Sequence, residues 1–403
     1  MAERKNSKGP GVLIMKYVLR PYQHEAVDAA ISFFEGPARH NAIEVLPTGS
    51  GKSLIIANIV SRLSAPVLVF QPSKEILEQN LNKLLSYGYR GAVYSASKGR
   101  REVGDITFAT IGSVVNKSDL FTNFPYVIVD ECHGINAKEG MYKTFLSELE
   151  KAGAKILGLT ATPYRLASNS FGSELRFITR TRPKVFQEMI YFIQNRKLFD
   201  DGYLAKMEYR DENGFDRSRL DINSTGADYT DESVRRYYRS LNFQDKLVMA
   251  IEREMATRKN ILVFTRFVQE SEYLVNNIPG AAIVTGETKK KDRERLIDGF
   301  KSGDIPVVCN VGVLTTGFDY PELETVILAR PTMSLGLYYQ MIGRSIRPHE
   351  KKDCARIVDL CGNYKTFGKI EDLEIVDGGN GKWFIAANGK QLTNVYNPQF
   401  GNN

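Results

Sequence analysis

The stretch Pro47-Thr48-Gly49-Ser50-Gly51-Lys52-Ser53 constrains this chain more than any other. It follows a short apolar run, Ile43 to Leu46, and precedes a helix-like stretch, so it stands where a strand hands over to a helix. Glycines at such a junction let backbone N–H groups wrap an anion at the helix N-terminus. The lysine of the pattern reaches the β- and γ-phosphates of a nucleotide, and the hydroxyl after it holds Mg²⁺. Lys52 and Ser53 fill those two places, with Thr48, Gly49, Ser50 and Gly51 as the cradle. The strict pattern asks for glycine where Leu46 stands.

A second group reinforces the first. Val127-Ile128-Val129 is an apolar run ending in Asp130-Glu131-Cys132-His133. In a parallel sheet both groups end at the same carboxyl edge, where ligands bind. Asp130 can then hold Mg²⁺ while Glu131 orients or deprotonates an attacking water. ATP with Mg²⁺ is therefore the expected cofactor.

The rest of the chain agrees with an α/β plan. Short apolar runs at Ile43 to Leu46, Val67 to Phe70, Val127 to Val129 and Ile156 to Leu159 read as buried strands alternating with helices. After Pro72, residues Ile76, Leu77, Leu81, Leu84 and Leu85 predict a helix face that Gly88 ends. Alternation lapses from 166 to about 256, with one amphipathic stretch at Val185 to Leu198 and a polar segment from Asp211 to Glu232. It returns with Ile261 to Phe264, Ala281 to Val284, Pro306 to Cys309, Val326 to Leu328 and Ile357 to Leu360, while Lys289 to Phe300 has helical spacing. A chain of 403 residues exceeds the size at which one core keeps growing. The expected order is a flexible tail at 1–14, an ATP-binding domain at 15–180 and a connector with an accessory element at 181–256. A second α/β domain at 257–368 and a β-hairpin appendage at 369–403 follow. The appendage has Asp377-Gly378-Gly379-Asn380-Gly381 and Asn388-Gly389 as turns and carries Trp383.

Composition narrows the class. Apolar residues are 42% and charged residues 25%, and no run nears the roughly 18 apolar residues of a membrane span. The apolar patch Val12 to Met15 is too short for a secretory signal, so a cytoplasmic protein with no membrane partner is expected. Cys132, Cys309, Cys354 and Cys361 form no CxxC pair, which argues against a disulfide framework or zinc site. A net charge of +7 is compatible with a polyanionic partner.

The two groups and several others together resemble the superfamily 2 helicases with a Asp-Glu-Cys-His box. Leu19-Arg20-Pro21-Tyr22-Gln23 looks like that family's adenine-recognition element, with Gln23 reading the base and Arg20 assisting. Phe70-Gln71-Pro72-Ser73 and Ala109-Thr110-Ile111 look like strand-contacting motifs, and Leu159-Thr160-Ala161-Thr162-Pro163 like the coupling motif. Val263-Phe264-Thr265-Arg266, Val284-Thr285-Gly286 and Asn310 to Pro321, with Gly317 and Asp319, resemble the backbone-gripping and nucleotide-sensing motifs of the second domain. Gln340-Met341-Ile342-Gly343-Arg344-Ser345-Ile346-Arg347-Pro348 resembles the last motif, with Gln340 near the γ-phosphate and Arg344 and Arg347 as arginine fingers. The wording is similar to that of RadD-like bacterial DNA repair helicases; these carry a cysteine-rich zinc module where this chain has the hairpin appendage, so a phage or minimal relative of them is expected.

The resemblance implies two RecA-like domains in tandem and an ATP-driven helicase or translocase acting on single-stranded, duplex or branched DNA. RNA helicase and a nucleic-acid clamp that does not unwind remain alternatives. Strand contacts are expected through Ser73, Thr110, Arg266, Thr285 and Thr315, mainly to phosphate and sugar. His133 either couples the nucleotide site to Thr160 and Thr162 or is a satisfied buried histidine. Arg235-Arg236-Tyr237-Tyr238-Arg239 either grips nucleic acid or is a solvated helix face with its tyrosines packed inward, and the latter is favoured. A monomer is expected, with repair or replication proteins as possible partners.

Overall fold

A computed structural model describes residues 17–169, 172–212, 214–315 and 318–398. The expected tail, 1–14, lies outside them. The chain forms two compact units: residues up to 165 with Phe177–Ile193 and Asp377–Trp383, and Leu166–Arg176 with Gln194–Val376 and residues from 384 on.

The first unit begins with α1 (Pro21–Glu35), β1 (Ala42–Val45), α2 (Lys52–Arg62), β2 (Val67–Phe70), α3 (Lys74–Ser86), β3 (Ala92–Ser95) and β4 (Arg100–Arg101). It continues with β5 (Ile106–Ala109), α4 (Ile111–Val114), β6 (Tyr126–Asp130), α5 (Met141–Lys151) and β7 (Lys155–Thr160). Strand β10 (Glu188–Phe192) completes it, while β8 (Tyr164–Asn169) and β9 (Gly172–Phe177) fall mostly in the second unit. The sheet order is β10-β1-β7-β6-β2-β5-β3-β4, parallel except that β4 runs against β3. Strands β1 and β2 are buried along their whole length, which is why β2 reads as an unbroken apolar run and β1 as one broken only by Glu44.

Register is what builds the site. Val45 pairs with Thr160, Leu159 with Asp130, Val129 with Phe70, and Phe70 with Ala109. The loops after these five strands therefore leave the sheet side by side along one carboxyl edge. Helix α3 starts where the Ser73 hydroxyl accepts the Ile76 N–H, at 3.3 Å. It buries Leu77, Leu81 and Leu84 as the periodicity predicts, but Leu85 is exposed and Asn80 completes the buried face.

The second unit holds α6 (Asn195–Asp200), β11 (Met207–Asp211), α7 (Asp231–Ser240), α8 (Phe243–Met255), β12 (Ile261–Thr265), α9 (Val268–Asn277) and β13 (Ala282–Val284). It continues with α10 (Lys290–Ser302), β14 (Val307–Asn310), β15 (Thr325–Ala329), α11 (Leu335–Ile342), β16 (Ala355–Asp359) and α12 (Asn363–Phe367). Its parallel sheet has the order β11-β16-β15-β12-β14-β13.

The stretch expected as a connector is instead built into both units. Val185 to Leu198 is not one amphipathic element: it contains β10, an edge strand beside β1, and the start of α6. β11, α7 and α8 belong to the second unit, and β11 is the edge strand beside β16. Edge strands with one solvated side carry mixed residues, so β11, Met-Glu-Tyr-Arg-Asp, lacks the apolar run that marks the central strands, and β10 keeps its run Met189 to Phe192 only partly buried.

At the C-terminus β17 (Leu373–Asp377), β18 (Trp383–Ala387) and β19 (Lys390–Gln391) form a three-stranded sheet. Asn380 and Asn388, with φ of 52° and 49°, turn the chain there, as the Gly/Asn clusters predict. β20 (Tyr396–Pro398) leaves this sheet and pairs antiparallel with β9, so the appendage is more than a hairpin. The ring of Trp383 meets Phe192 edge-on, centroids 5.4 Å apart. Among the described residues no helix is long and apolar enough to cross a membrane. All four cysteines are free, three of them buried.

Candidate nucleotide and nucleic-acid sites

The loop between β1 and α2 is held by backbone geometry. Gly49 and Gly51 both have φ of 83°, a left-handed conformation that favours glycine. At Gly51 a side chain would also collide with Gln23, since a Cβ would lie 2.5 Å from its Nε2. Leu46, at the position the strict pattern gives to glycine, is buried and donates its N–H to the Thr160 carbonyl at 2.9 Å. It ties the loop to β7. The Ser50 carbonyl accepts hydrogen bonds from Tyr22 Oη, 2.8 Å, and Gln23 Nε2, 2.7 Å. Gln23 Oε1 accepts the Arg20 N–H at 2.9 Å, and Arg20 Nη1 donates to Tyr22 Oη at 3.2 Å. The element expected to read a base thus also braces the phosphate loop. Tyr22 is a member the sequence did not single out.

Lys52 points its ammonium at Glu131, Nζ to Oε1 3.3 Å. Glu131 has a φ of 51°, uncommon outside glycine, at the turn that follows β6. Burial pushes its carboxyl up, but Lys52 and then His133 outweigh it and pull it down to about 2. Asp130 behaves oppositely: burial, then the Glu131 charge, raise it to about 6 despite Lys52 and Asn80. Its Oδ2 accepts Asn80 Nδ2 at 3.2 Å and its Oδ1 the Glu131 N–H at 3.0 Å. Two adjacent carboxylates pushed apart in this way have different tasks available to them. The sequence did not reveal Asn80, because its link to Asp130 spans 50 residues.

His133 Nδ1 lies 2.9 Å from Thr160 Oγ1, 3.1 Å from Thr162 Oγ1 and 3.3 Å from Glu131 Oε2. One ring nitrogen therefore meets the carboxylate on one side and both coupling-motif hydroxyls on the other. Ser73 caps α3 after β2, and the Thr110 hydroxyl meets those of Ser113, 2.9 Å, and Ser95, 3.3 Å, after β5. Along the carboxyl edge the order is phosphate loop, coupling motif, acidic pair, then the two strand-contact candidates. Thr48 and Ser53 line the same loop and are partly exposed.

In the second unit Thr265, Asn310 and Thr285 stand at or just after the ends of neighbouring strands β12, β14 and β13. The Thr285 hydroxyl accepts the Glu287 N–H at 3.2 Å. Asn310, fully buried, holds the following turn by accepting the Val313 and Leu314 N–H groups at 3.1 and 2.9 Å, and Thr315 comes directly after it. Gly317 lies outside the described residues. Gln340 is on α11, and Arg344 donates to the carbonyls of Gln340, 3.2 Å, and Phe318, 2.8 Å. Arg347 forms an ion pair with Asp319, so two residues expected to face nucleotide hold each other.

Arg266 departs from expectation. Its side chain is 8% exposed and its guanidinium is consumed by Asp231, 2.9 Å, Asp228, 3.2 Å, and the carbonyls of Tyr229, 2.6 Å, and Pro331, 3.4 Å. It anchors the segment before α7 onto the sheet and is not presented to a strand. The charged run on α7 follows the bland reading as far as its tyrosines go: Tyr237 and Tyr238 are buried, and Tyr238 stacks on Phe243 at 3.9 Å.

Residues 16–165 match the family described as Type III restriction enzyme, res subunit, and residues 242–349 match the helicase conserved C-terminal domain. The chain is 26% identical over 329 residues to a 51.5 kDa protein of Lactococcus phage (isolate 7-9), covering 80% of this chain and 66% of that protein. It is 26% identical over 369 residues to a protein of Sulfurisphaera tokodaii named DNA 3'-5' translocase XPB2, covering 84% and 80%. It spans 52 to 66% of the length of the first three curated relatives it matches. Among solved structures it is similar to the ATP-dependent Type ISP restriction-modification enzyme LlaBIII bound to DNA. That likeness has a TM-score of 0.60 at 18% identity and covers 85% of this chain and 27% of the other. With both helicase modules matched in order over a pair of parallel-sheet units, the chain belongs to the superfamily 2 helicases.

Proposed function

We propose that this chain is a DNA-dependent ATPase that translocates on, unwinds or remodels DNA, with branched or partly duplex forms as its substrates. The observation that carries the reading is the contact chain from Lys52 through Glu131 and His133 to Thr160 and Thr162, on strands adjacent to those bearing Ser73 and Thr110. A change at the nucleotide is felt along this chain by the loops that would hold a strand. Glu131, ionised across the physiological range, accepts the proton of the attacking water, and Lys52 binds the phosphates. Mg²⁺, when bound, neutralises phosphate charge. Asp130 and Ser53 are the residues that would hold it, and a buried carboxylate raised to about 6 is one a divalent cation would relieve.

DNA rather than RNA is favoured by the relative named a DNA translocase. Glu131→Gln should lower DNA-stimulated turnover at least 100-fold, in line with the usual worth of a positioned general base, while ATP binding persists. Lys52→Ala should lose both. Substantial turnover in Glu131→Gln would remove the carboxylate from its role, and RNA stimulating as well as DNA at matched length would move the chain to the RNA reading.

A further inference from the structure

The arginines of α7 are absorbed by nothing described so far. Helix α7 lies over the carboxyl edge of the second sheet: Tyr238 Oη donates to the carbonyl of Ala329, the last residue of β15, at 2.9 Å. Asp231, its first residue, holds Arg266, the first residue after β12. With Tyr237 and Tyr238 turned inward, Arg235 and Arg239 face outward, one turn apart and exposed. The Arg235 guanidinium sits 3.7 Å from the ring centroid of Phe267, which fixes its position at low entropic cost. Both arginines line a cavity of about 350 Å³ with Asn242, Gln269 and Tyr273. Two carboxylates face the same cavity. Glu270 is 5% exposed and engaged by the Phe267 N–H at 3.1 Å, and Asp245 accepts Tyr273 Oη at 2.7 Å.

We infer that this cavity is a phosphate-backbone contact for a nucleic-acid strand, with Arg235 and Arg239 supplying the cations that Arg266 cannot. The inference rests on the motor reading above. Arg266 is buried among aspartates, yet the edge on which it stands also carries Thr265, Thr285 and Asn310, so a strand following that edge needs an exposed cation there. Arg235, stacked on Phe267 next to Arg266 in sequence, is so placed. The amides of Asn242 and Gln269 add donors that suit phosphate and sugar without reading sequence. An acidic protein segment is the other class of partner such cations could take. Continuity with the strand-end loops favours nucleic acid.

The test is fluorescence anisotropy of a fluorescein-labelled 30-mer of deoxythymidine, titrated with the full chain at several salt concentrations. Arg235→Gln with Arg239→Gln should weaken binding about tenfold at low salt. The double variant should also reduce the slope of log affinity against log salt by about 1.4, at about 0.7 per phosphate contact on a single strand. Charge reversal to Glu at both positions should weaken binding further. Arg236→Gln should leave the salt slope as in wild type, because Arg236 pairs with Asp221 at 2.9 Å outside the cavity. Wild-type affinity and slope in a Gln double variant whose thermal melt matches wild type would overturn the inference. So would that affinity together with lost binding of an acidic decapeptide, which would assign the cavity to a protein partner. A wild-type chain that binds no oligonucleotide would overturn the motor reading and this inference with it.

Discussion

Glu44 is the most exposing single residue in the chain. It sits in β1, fully buried, and among the described residues neither carboxyl oxygen has a hydrogen-bond partner, so burial pushes its carboxyl well above the usual range. The proton is thus bound more tightly in the folded chain than in the unfolded one. Stability should be fullest below the ordinary carboxylate pKa and be lost as pH rises through the raised value. Glu44→Met should remove that dependence and stabilise the first unit by about 1–3 kcal/mol at pH 8, the usual cost of a buried unpaired polar group. Urea unfolding at pH 5.5 and pH 8 checks this, and an equally steep decline in the variant would show the loss to arise elsewhere. Asn80 offers a second case. Residues that orient a metal-holding group are typically worth 10–100-fold in metal affinity. Asn80→Ala should therefore raise the Mg²⁺ concentration needed for tight binding of a fluorescent ATP analogue by about tenfold. An unchanged Mg²⁺ requirement would mean that the 3.2 Å bond to Asp130 orients nothing. Lys52, Ser53, Asp130 and Glu131 were legible in the sequence because their chemistry depends on identity and spacing close along the chain. Tyr22, Asn80 and the Arg266 aspartates were not, because each acts across 28 to 50 residues that only the fold brings together.

At the scale of elements, the central strands announced themselves and the edges did not. β1, β2 and β12 are buried along their whole length and are apolar but for Glu44 in β1 and Thr265 at the end of β12. β11 reads Met-Glu-Tyr-Arg-Asp and resembles a polar connector, since its attachment to the sheet is electrostatic as much as apolar. Glu254 on α8, fully buried, receives Arg210 of β11 at 2.8 Å and Arg356 of β16 at 3.0 Å. Glu208 of β11 takes Arg356 at 2.8 Å and Arg258 at 3.4 Å. Three elements are stapled by this group, and removing its buried carboxylate leaves two partly buried guanidinium groups facing each other. Glu254→Leu should cost on the order of 3 kcal/mol, less than the full loss of a buried pair because Arg210 is about a third exposed. Denaturant unfolding of the second unit would read this, and a cost under about 0.5 kcal/mol would show that water already screens the group. The appendage is likewise tied down, Gln194 bonding both backbone groups of Ile375 at 2.8 and 2.9 Å. Turn chemistry made its hairpins legible, whereas the pairing of β20 with β9 joins segments more than 200 residues apart and leaves no local signature.

On the scale of the whole molecule, the proposed function divides its residues between the two units. Lys52, Asp130 and Glu131 lie in the first unit, and Arg344 and Arg347 in the second. An arginine supplied to a phosphoryl-transfer centre from another element is worth about 10³ to 10⁵ in rate in other systems, far more than any strand contact contributes to binding. Arg347 is held by Asp319 and Arg344 by the carbonyls of Gln340 and Phe318, so in this state both are committed within their own unit. If either acts as a finger, as the resemblance implies, turnover has to release it from these partners. Arg347→Ala should then cut DNA-stimulated turnover at least 1000-fold with little change in ATP affinity, because the group would act after the nucleotide is bound. Asp319→Asn should move the other way in the absence of DNA: freeing Arg347 should raise basal hydrolysis several-fold and shrink the stimulation that DNA provides. Steady-state ATPase with and without saturating single strands, alongside nucleotide binding, separates these outcomes. Wild-type turnover in Arg347→Ala would deny it a role as a finger. A drop in basal activity in Asp319→Asn would show that the ion pair positions the arginine for catalysis rather than restraining it.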